Sequence, residues 1–234
     1  IAEMVKYTNN AFHALKVTFA NEIGNICKQQ EIDSHQVMEI FCLDQKLNLS
    51  PYYLKPGFAF GGSCLPKDLR ALLYLSRHSD LQLPVMEAIL PSNQRQVDLA
   101  INMVKNTGHK RVGILGFSFK AGTDDLRESP AVELIEQLIG KGYLVKVYDQ
   151  NVSLANLHGA NRIYIEREIP HIASLMCSSM DELVSESDVI VIGNKDQQFA
   201  ERIMDIGEDQ LIIDLVRISD SLDQYGANYE GLCW

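Results

Sequence analysis

Apolar side chains recur every three or four positions along residues 1–29, which is the spacing of one long amphipathic helix. The stripe consists of Phe12, Leu15, Phe19, Ile23 and Ile26. A second helix is predicted after Asp33, whose carboxylate can accept hydrogen bonds from the free amides that follow it. Two more helices are predicted near residues 67–77 and 84–105, and Pro91 is expected to kink or divide the last one.

The periodicity changes after residue 108. Short apolar runs then alternate with helical stretches, at residues 111–117, 143–149, 188–193 and 210–216. Strands that alternate with helices in this way build an open, mainly parallel sheet. The chain is therefore predicted to be an α/β protein with two parts, a helical region over residues 1–107 and a sheet domain over residues 108–234.

Composition narrows the possible partners. Apolar residues make up 46% of the chain and charged residues 22%, as in ordinary globular proteins. Twenty-one Lys and Arg oppose 31 Asp and Glu, so the formal charge of −10 disfavours nucleic acid and anionic membranes as partners. No apolar stretch approaches the ~20 residues that cross a bilayer, and a cytoplasmic location is expected. The five cysteines are scattered without CxxC spacing, so neither disulfides nor a metal site is expected.

Residues 44–66 interrupt the helical pattern with three prolines, three glycines and four aromatic residues, and long loops of this kind tend to be functional. Cys64 follows Gly61 and Gly62 and leads directly into a predicted helix. Free amides, the helix dipole and the charge of Lys67 would all favour its thiolate, as an activated nucleophile requires. The alternative is that Cys64 is a small buried hydrophobic residue, which many free cysteines are.

Other polar residues cluster around this motif. Lys6 and Asn10 are four apart and share a helix face with His13 nearby, where they could bind a substrate oxygen or polarise water, or simply form a solvated face. Asp68 could act as a base or compensate the helix dipole.

Aromatic residues of the loop form a second group. Tyr52, Tyr53 and Phe58 interleave with Lys55 and could stack on a base and pair with a phosphate, or pack the loop.

The predicted sheet offers further candidates. The turn that ends at Gly116 is an incomplete GxGxxG pattern, weak support for NAD. Lys120 and Arg127 follow the first strand at its carboxyl end, where phosphate partners are expected. Asp149 lies at the end of the second predicted strand. It could accept a hydrogen bond from a ribose hydroxyl, or it could be an ordinary turn residue.

Three segments, residues 2–12, 57–68 and 116–130, together and in this order resemble the UDP-glucose/GDP-mannose dehydrogenase family. The similarity covers essentially the whole chain. Residues 158–161 and 231–234 are most similar to the branch of that family that uses GDP-mannose, with the UDP-sugar branch as the alternative.

The resemblance implies an N-terminal NAD-binding domain, a helical central and dimerisation region, and a Rossmann-like parallel-sheet domain that binds the nucleotide sugar. This chain is expected to start within the central helix, without the NAD domain or the family's water-activating glutamate, and to be inactive alone. A truncated module for sugar-nucleotide binding or dimerisation is the alternative function. Homodimers or higher homo-oligomers are expected.

The implied reaction is a four-electron oxidation. NAD oxidises the C6 alcohol to an aldehyde, a cysteine traps it as a thiohemiacetal, a second NAD gives a thioester, and water releases the uronate. GDP-mannose and GDP-mannuronate are the implied substrate and product. By motif, Cys64 is the nucleophile and Lys6 stabilises oxyanions. Asn10 orients the reacting oxygen or water, and Asp68 lies beside that water or Lys6.

The resemblance also implies sugar-nucleotide contacts from the first helix, the loop and the sheet domain, namely His13, Asn21, Tyr52, Tyr53, Phe58, Gly61 and Lys120. NAD contacts are implied for Lys67 and Arg127. Lys55 stands where the GDP-mannose branch carries an arginine, with a contact to a neighbouring subunit expected; lysine keeps the charge but loses the bidentate fork.

Overall fold

The structure is a computed structural model that describes residues 1–29, 31–45, 53–78, 80, 82–118, 123, 125–152, 170–204, 206–207, 209–219 and 228–234. The chain divides into two compact units, Ile1–Val97 with Cys233–Trp234, and Asp98–Leu232. Among the described helices, none combines the length and the hydropathy needed to cross a membrane.

Helices build the first unit. Their bounds are α1 Ala2–Gln29, α2 Ser34–Phe41, α3 Leu65–His78 and α4 Pro84–Asn106, the last of which begins in this unit. The four predicted helices are thus confirmed. So is the cap at Asp33, whose Oδ1 accepts a hydrogen bond from the amide of His35 at 2.8 Å. Pro91 lies inside α4 without dividing it.

The core of this unit uses smaller side chains than the periodicity predicts. Ala11 and Ala14 of α1 pack with Leu69 and Leu73 of α3 and with Ile89. Alanine allows the helix backbones to approach closely, so α1 packs through a face that hydrophobic size alone does not reveal.

The two phenylalanines of the predicted stripe instead leave much of their rings in solvent. Phe12 is 44% exposed and Phe19 is 42% exposed.

The second unit is a parallel sheet. Its strands are β1 Arg111–Leu115, β2 Leu144–Tyr148, β3 Val189–Ile192, β4 Leu211–Asp214 and β5 Tyr229–Gly231, in the order β2-β1-β3-β4-β5. Its helices are α5 Pro130–Gly140, α6 Ile172–Leu175, α7 Met180–Ser185 and α8 Gln197–Ile203. The predicted α/β class, a helical region followed by a parallel sheet, is confirmed. Helix α6 and strand β5 were not predicted from the sequence.

The strand order reverses between β1 and β3, and ligands of open α/β sheets bind at the carboxyl side of such a reversal. At this reversal, the segments that follow β1 and β3 approach each other closely. A Cβ atom on Gly193, just after β3, would lie 2.2 Å from the carbonyl oxygen of Gly116, just after β1. That position therefore requires glycine for reasons of space.

We predict that Gly193→Ala lowers the free energy of unfolding of the sheet unit by about 1–3 kcal/mol, because a methyl group would push against backbone rather than a movable side chain. Gly140→Ala is the control, since nothing lies within 4 Å of its Cβ position. It should be neutral or stabilising by up to about 1 kcal/mol. Urea unfolding followed by far-UV circular dichroism measures both, and equal effects of the two variants would contradict the packing argument.

Candidate functional site

Cys64 occupies the N-cap position of α3. The amide of Asp68 donates to the carbonyl of Cys64 at 2.9 Å, which is the first hydrogen bond of that helix. All five cysteines lie in the described part of the chain, and Cys64 is the exposed one. The exposure rules out the alternative that it is a buried hydrophobic residue. Gly62, with φ +82°, makes the turn before it, and the Ser63 hydroxyl lies 3.9 Å from its sulfur.

One turn into α3, the carboxylate of Asp68 draws several predicted residues together. It is 1% exposed. Asn10 of α1 donates its side-chain amide to Oδ2 at 2.5 Å, and the Lys6 ammonium lies 3.8 Å from the same oxygen. Lys67 lies 3.3 Å from Oδ1. Predicted catalytic residues of α1 and α3 therefore meet at one carboxylate, next to the helix start that carries Cys64.

The protonation state of Asp68 follows from these contacts. Burial acts to raise its pKa, but the hydrogen bonds from Asn10 and Lys67 and the charges of Lys67 and Lys6 outweigh burial, so the pKa lies below its ordinary 3.8. The group is a carboxylate at neutral pH and accepts hydrogen bonds. Both lysines are more than half exposed, so solvent screens the ion pairs and the Asn10 hydrogen bond is the better shielded contact.

An aromatic pair lies on the same unit. The rings of His13 and Tyr53 stack with centroids 5.0 Å apart and an angle of 28°. Since Lys6, Asn10 and His13 follow one another at intervals of four and three on α1, the ring pair continues the polar face that reaches Asp68.

The remaining loop candidates differ in exposure. Lys55 is exposed, whereas Phe58 and Gly61 are half-buried. Tyr52 and Lys120 lie outside the described residues, as does the segment 158–161.

Asn21, predicted to contact the sugar nucleotide, is buried and engaged with the main chain of the loop. Its Oδ1 accepts from the amide of Gly57 at 3.0 Å, and its Nδ2 donates to the carbonyl of Phe58 at 3.4 Å.

Two residues that the sequence analysis missed, Asn93 and Gln96 of α4, bind the same stretch of backbone. Their only signal in the sequence is a pair of amide side chains three positions apart on a helix, too common a pattern to single out.

In the sheet unit, Asp149 joins the loop after β1 to the end of β3. Its Oδ2 accepts from the amides of Phe117 and Ser118, both at 3.2 Å, and from the Ser118 hydroxyl at 3.0 Å. Asn194 donates to the same oxygen at 3.3 Å. Of the two roles left open for Asp149, these contacts favour the structural one.

Arg127, predicted to contact the cofactor, forms a fork with Asp125. Its Nε and Nη2 donate to the two carboxylate oxygens at 2.8 and 2.7 Å. The hydrogen bond from Arg127 is the main reason that the pKa of Asp125 is lowered. The NAD contacts of Lys67 and Arg127 remain predictions.

Whether the sheet unit could hold NAD can be tested at Asp149. A dinucleotide needs a strand-end acid that can accept from its ribose hydroxyls. Asp149 is 3% exposed, and its Oδ2 is occupied by loop and side-chain donors. Asp149 is therefore engaged by the protein's own donors and is not available to a ribose hydroxyl.

The strand order β2-β1-β3-β4-β5 and the exposed cysteine at a helix start define a doubly wound α/β protein with a candidate thiol site. Comparison with known proteins identifies its family. Residues 1–95 match the central domain of the UDP-glucose/GDP-mannose dehydrogenase family, and residues 113–221 match that family's UDP binding domain. The chain belongs to the UDP-glucose/GDP-mannose dehydrogenase family.

Individual relatives refine the comparison. GDP-mannose 6-dehydrogenase of Pseudomonas aeruginosa is 51% identical over 100% of this chain and 53% of its own length. UDP-glucose 6-dehydrogenase of Rickettsia bellii is 31% identical over 97% and 52%. A crystal structure of a ternary complex of GDP-mannose dehydrogenase from Pseudomonas aeruginosa matches with a TM-score of 0.74 and 51% identity, over 99% of this chain and 52% of that one. The chain spans about half the length of the curated relatives it matches.

The lowered pKa of Asp68 predicts a pH-dependent contribution to stability. A carboxylate with a folded pKa below its unfolded value stabilises the protein above pH ~4 and loses this contribution as the pH falls through the folded pKa. Asp68→Asn should therefore be destabilising at pH 6, with the difference from the parent chain narrowing toward pH 3. Urea unfolding monitored by the fluorescence of Trp234, the single tryptophan, reports on the helical unit.

Glu39→Gln serves as the control, because Glu39 is an exposed acid on the same unit. Its difference from the parent chain should stay flat over this pH range. A gap between the parent chain and Asp68→Asn that widens on acidification would show that the sign is wrong.

Proposed function

We propose that this chain carries the cysteine and the sugar-nucleotide contacts of an NAD-dependent oxidoreductase that converts GDP-mannose to GDP-mannuronate through a cysteine thiohemiacetal and thioester. The observation that carries the proposal is the exposed thiol of Cys64 at the start of α3, one helical turn before the Asp68 carboxylate that holds Asn10 and Lys6. Greater identity to a GDP-mannose dehydrogenase than to a UDP-glucose dehydrogenase, 51% against 31%, supports the choice of sugar nucleotide.

The thiol solves a chemical problem in oxidising an alcohol to an acid. An aldehyde with no covalent partner can leave the enzyme or hydrate. Addition of the Cys64 sulfur to the aldehyde carbon forms a C–S bond, and the proton ends on the new hydroxyl. Loss of a hydride and a proton from that carbon then gives a thioester, and water cleaves it to the carboxylate and the free thiol. NAD, when bound, supplies the hydride acceptor for both oxidations.

The surrounding residues of this chain fit supporting roles. The Lys6 ammonium, more than half exposed, can move to stabilise the oxyanion that develops on the reacting carbon. Asp68 stays ionised and holds the Asn10 amide, which fixes that side chain beside the reacting oxygen or water. The positive helix start at Cys64 assists attack by its sulfur.

Recognition of the nucleotide sugar is assigned to the polar face of α1 and the loop. The stacked rings of His13 and Tyr53 offer a flat surface for a base or sugar. Lys55, exposed on the same loop, supplies a charge for the diphosphate.

The proposal predicts that Cys64→Ser, placed in the family-length enzyme, reduces uronate formation by at least about a thousandfold, because a hydroxyl at this site is a far weaker nucleophile. GDP-mannose binding, measured by calorimetry, should persist and should remain tighter than UDP-glucose binding. An assay of NADH formation coupled to chromatographic detection of the uronate provides the rate.

Cys42→Ser is the matched control, because Cys42 is a half-buried cysteine at the C-cap of α2. It should leave the rate unchanged. Uronate production at the parent rate by Cys64→Ser would eliminate the covalent route. Tighter binding of UDP-glucose than of GDP-mannose would instead reassign the substrate. Binding of a sugar nucleotide by the parent enzyme without uronate formation would favour the alternative function, a module for sugar-nucleotide binding or dimerisation.

We also propose that the chain forms a homodimer through exposed apolar residues of α1. Met4, Val5, Phe12 and Phe19 leave much of their surface in solvent on that helix. Several exposed large apolar residues on one helix are typical of an interface between protein chains.

Sedimentation equilibrium should give twice the 26.3 kDa of the chain. Phe12→Glu should shift the equilibrium toward monomer by at least about tenfold, because it would bury an unpaired charge. Tyr74→Glu, an exposed aromatic residue of α3, should not. A parent chain that sediments only at 26.3 kDa would contradict the dimer.

A further inference from the structure

The loop segment of residues 57–60, which leads to Cys64, is partly buried and belongs to no helix or strand. Backbone amides and carbonyls away from water need hydrogen-bond partners. In a segment outside helices and strands, regular backbone pairing does not provide these partners. Here the partners are amide side chains.

Asn93 and Asn21 each bind this backbone at two points. Asn93 accepts from the amide of Phe60 and donates to the carbonyl of the same residue, both at 2.9 Å. Asn21 accepts from the amide of Gly57 and donates to the carbonyl of Phe58. A carboxamide that binds both a donor and an acceptor fixes the direction of the backbone as well as its place.

Gln96 completes the set and is the most buried of the three, at 1% exposure. Its Nε2 donates to the carbonyl of Gly57 at 2.8 Å and to the sulfur of Cys233 at 3.1 Å, while its Oε1 accepts from Asn25 at 3.0 Å. Both ends of the amide are thereby used. Burial raises the pKa of Cys233 to about 12, so this sulfur stays a neutral thiol and a steady partner for Gln96.

We propose that Asn21, Asn93 and Gln96 form an amide clamp that positions the thiol of Cys64 by holding the backbone of residues 57–60. The three are positioning residues, since they act on the thiol through the loop. The role in catalysis rests on the proposed function, whereas the effect on the thiol does not.

Three residues separate Phe60 from Cys64, and two of them, Gly61 and Gly62, have little intrinsic stiffness. Without an anchor immediately before these glycines, the start of α3 would be free to fray and the sulfur to leave its N-cap position. Anchoring the backbone at Phe60 therefore limits where Cys64 can lie, while the glycines still provide the turn.

The test is the rate at which iodoacetamide alkylates Cys64 in the folded 234-residue chain at pH 7, measured by mass spectrometry of the peptides after quenching and digestion. Gln96→Met and Asn93→Leu remove the clamp's hydrogen bonds without adding charge. Each should slow alkylation of Cys64 by at least about fivefold, because a sulfur displaced from the helix start no longer lies at the positive end of α3, which assists its attack. The buried Cys27 monitors unfolding in the same spectra and should remain unlabelled.

Ser92→Ala is the control, because Ser92 is also on α4 but its hydroxyl donates to Glu22 of α1 and not to the loop backbone. It should leave the rate at Cys64 within about twofold. Parent-like alkylation in both Gln96→Met and Asn93→Leu, or the same slowing in Ser92→Ala, would overturn the proposal. Slowing with Cys27 labelled as well would do the same, since it indicates general unfolding.

Asn93 is only half-buried, so Asn93→Leu keeps the test decisive if Gln96→Met does not fold. The measurement needs neither a sugar nucleotide nor NAD, so its result is independent of whether Cys64→Ser abolishes uronate formation.

Discussion

The helical unit depends on a buried charge. Asp68 is almost fully buried yet ionised, and a buried carboxylate is tolerated only where hydrogen bonds and positive charges replace its hydration. Its partners come from two helices that are distant in sequence, Asn10 and Lys6 on α1 and Lys67 on α3. The need to compensate this one group thus brings the polar face of α1 to the helix start that presents Cys64.

Buried carboxylates also hold loops in the sheet unit, but burial and hydrogen bonding contribute there in different proportions. Asp149 accepts from the backbone after β1, and Asp214 at the end of β4 accepts from the amides of Val216 and Ile218 and from the Tyr229 hydroxyl. Burial outweighs these hydrogen bonds and raises the pKa of Asp214, whereas the hydrogen bonds and lysines around Asp68 outweigh burial there. In both units a carboxylate at the end of an element shapes the loop beside it.

Local sequence rules were sufficient for much of the fold. The helix cap at Asp33, the first four strands and the family motifs each depend on residues close together in the chain. The rules failed where a partner is distant. Phe12 and Phe19 have helical spacing, but spacing cannot distinguish a face covered by the same chain from an exposed one. The three-residue strand β5 has no apolar run and exists through its pairing with β4.

The candidate site shows the same division. Motif spacing and the family resemblance predicted roles for Cys64, Lys6, Asn10 and Asp68, and three-dimensional packing brings the last three together. Gln96 escaped notice because a helical glutamine carries no chemical signature until a loop backbone lies against it.

A reactive thiol places opposing demands on its loop. The turn before Cys64 needs glycine to reach the start of α3, as the positive φ of Gly62 shows. Glycine also increases the conformational freedom of the backbone. A β-strand would supply rigidity, but alternation along a strand would then dictate which side chains point toward the substrate. Amide side chains from neighbouring helices bind the backbone and leave the loop's own side chains, Phe58 among them, available for contacts of their own. Rigidity therefore comes from α1 and α4, and the loop sequence remains free to serve recognition and chemistry.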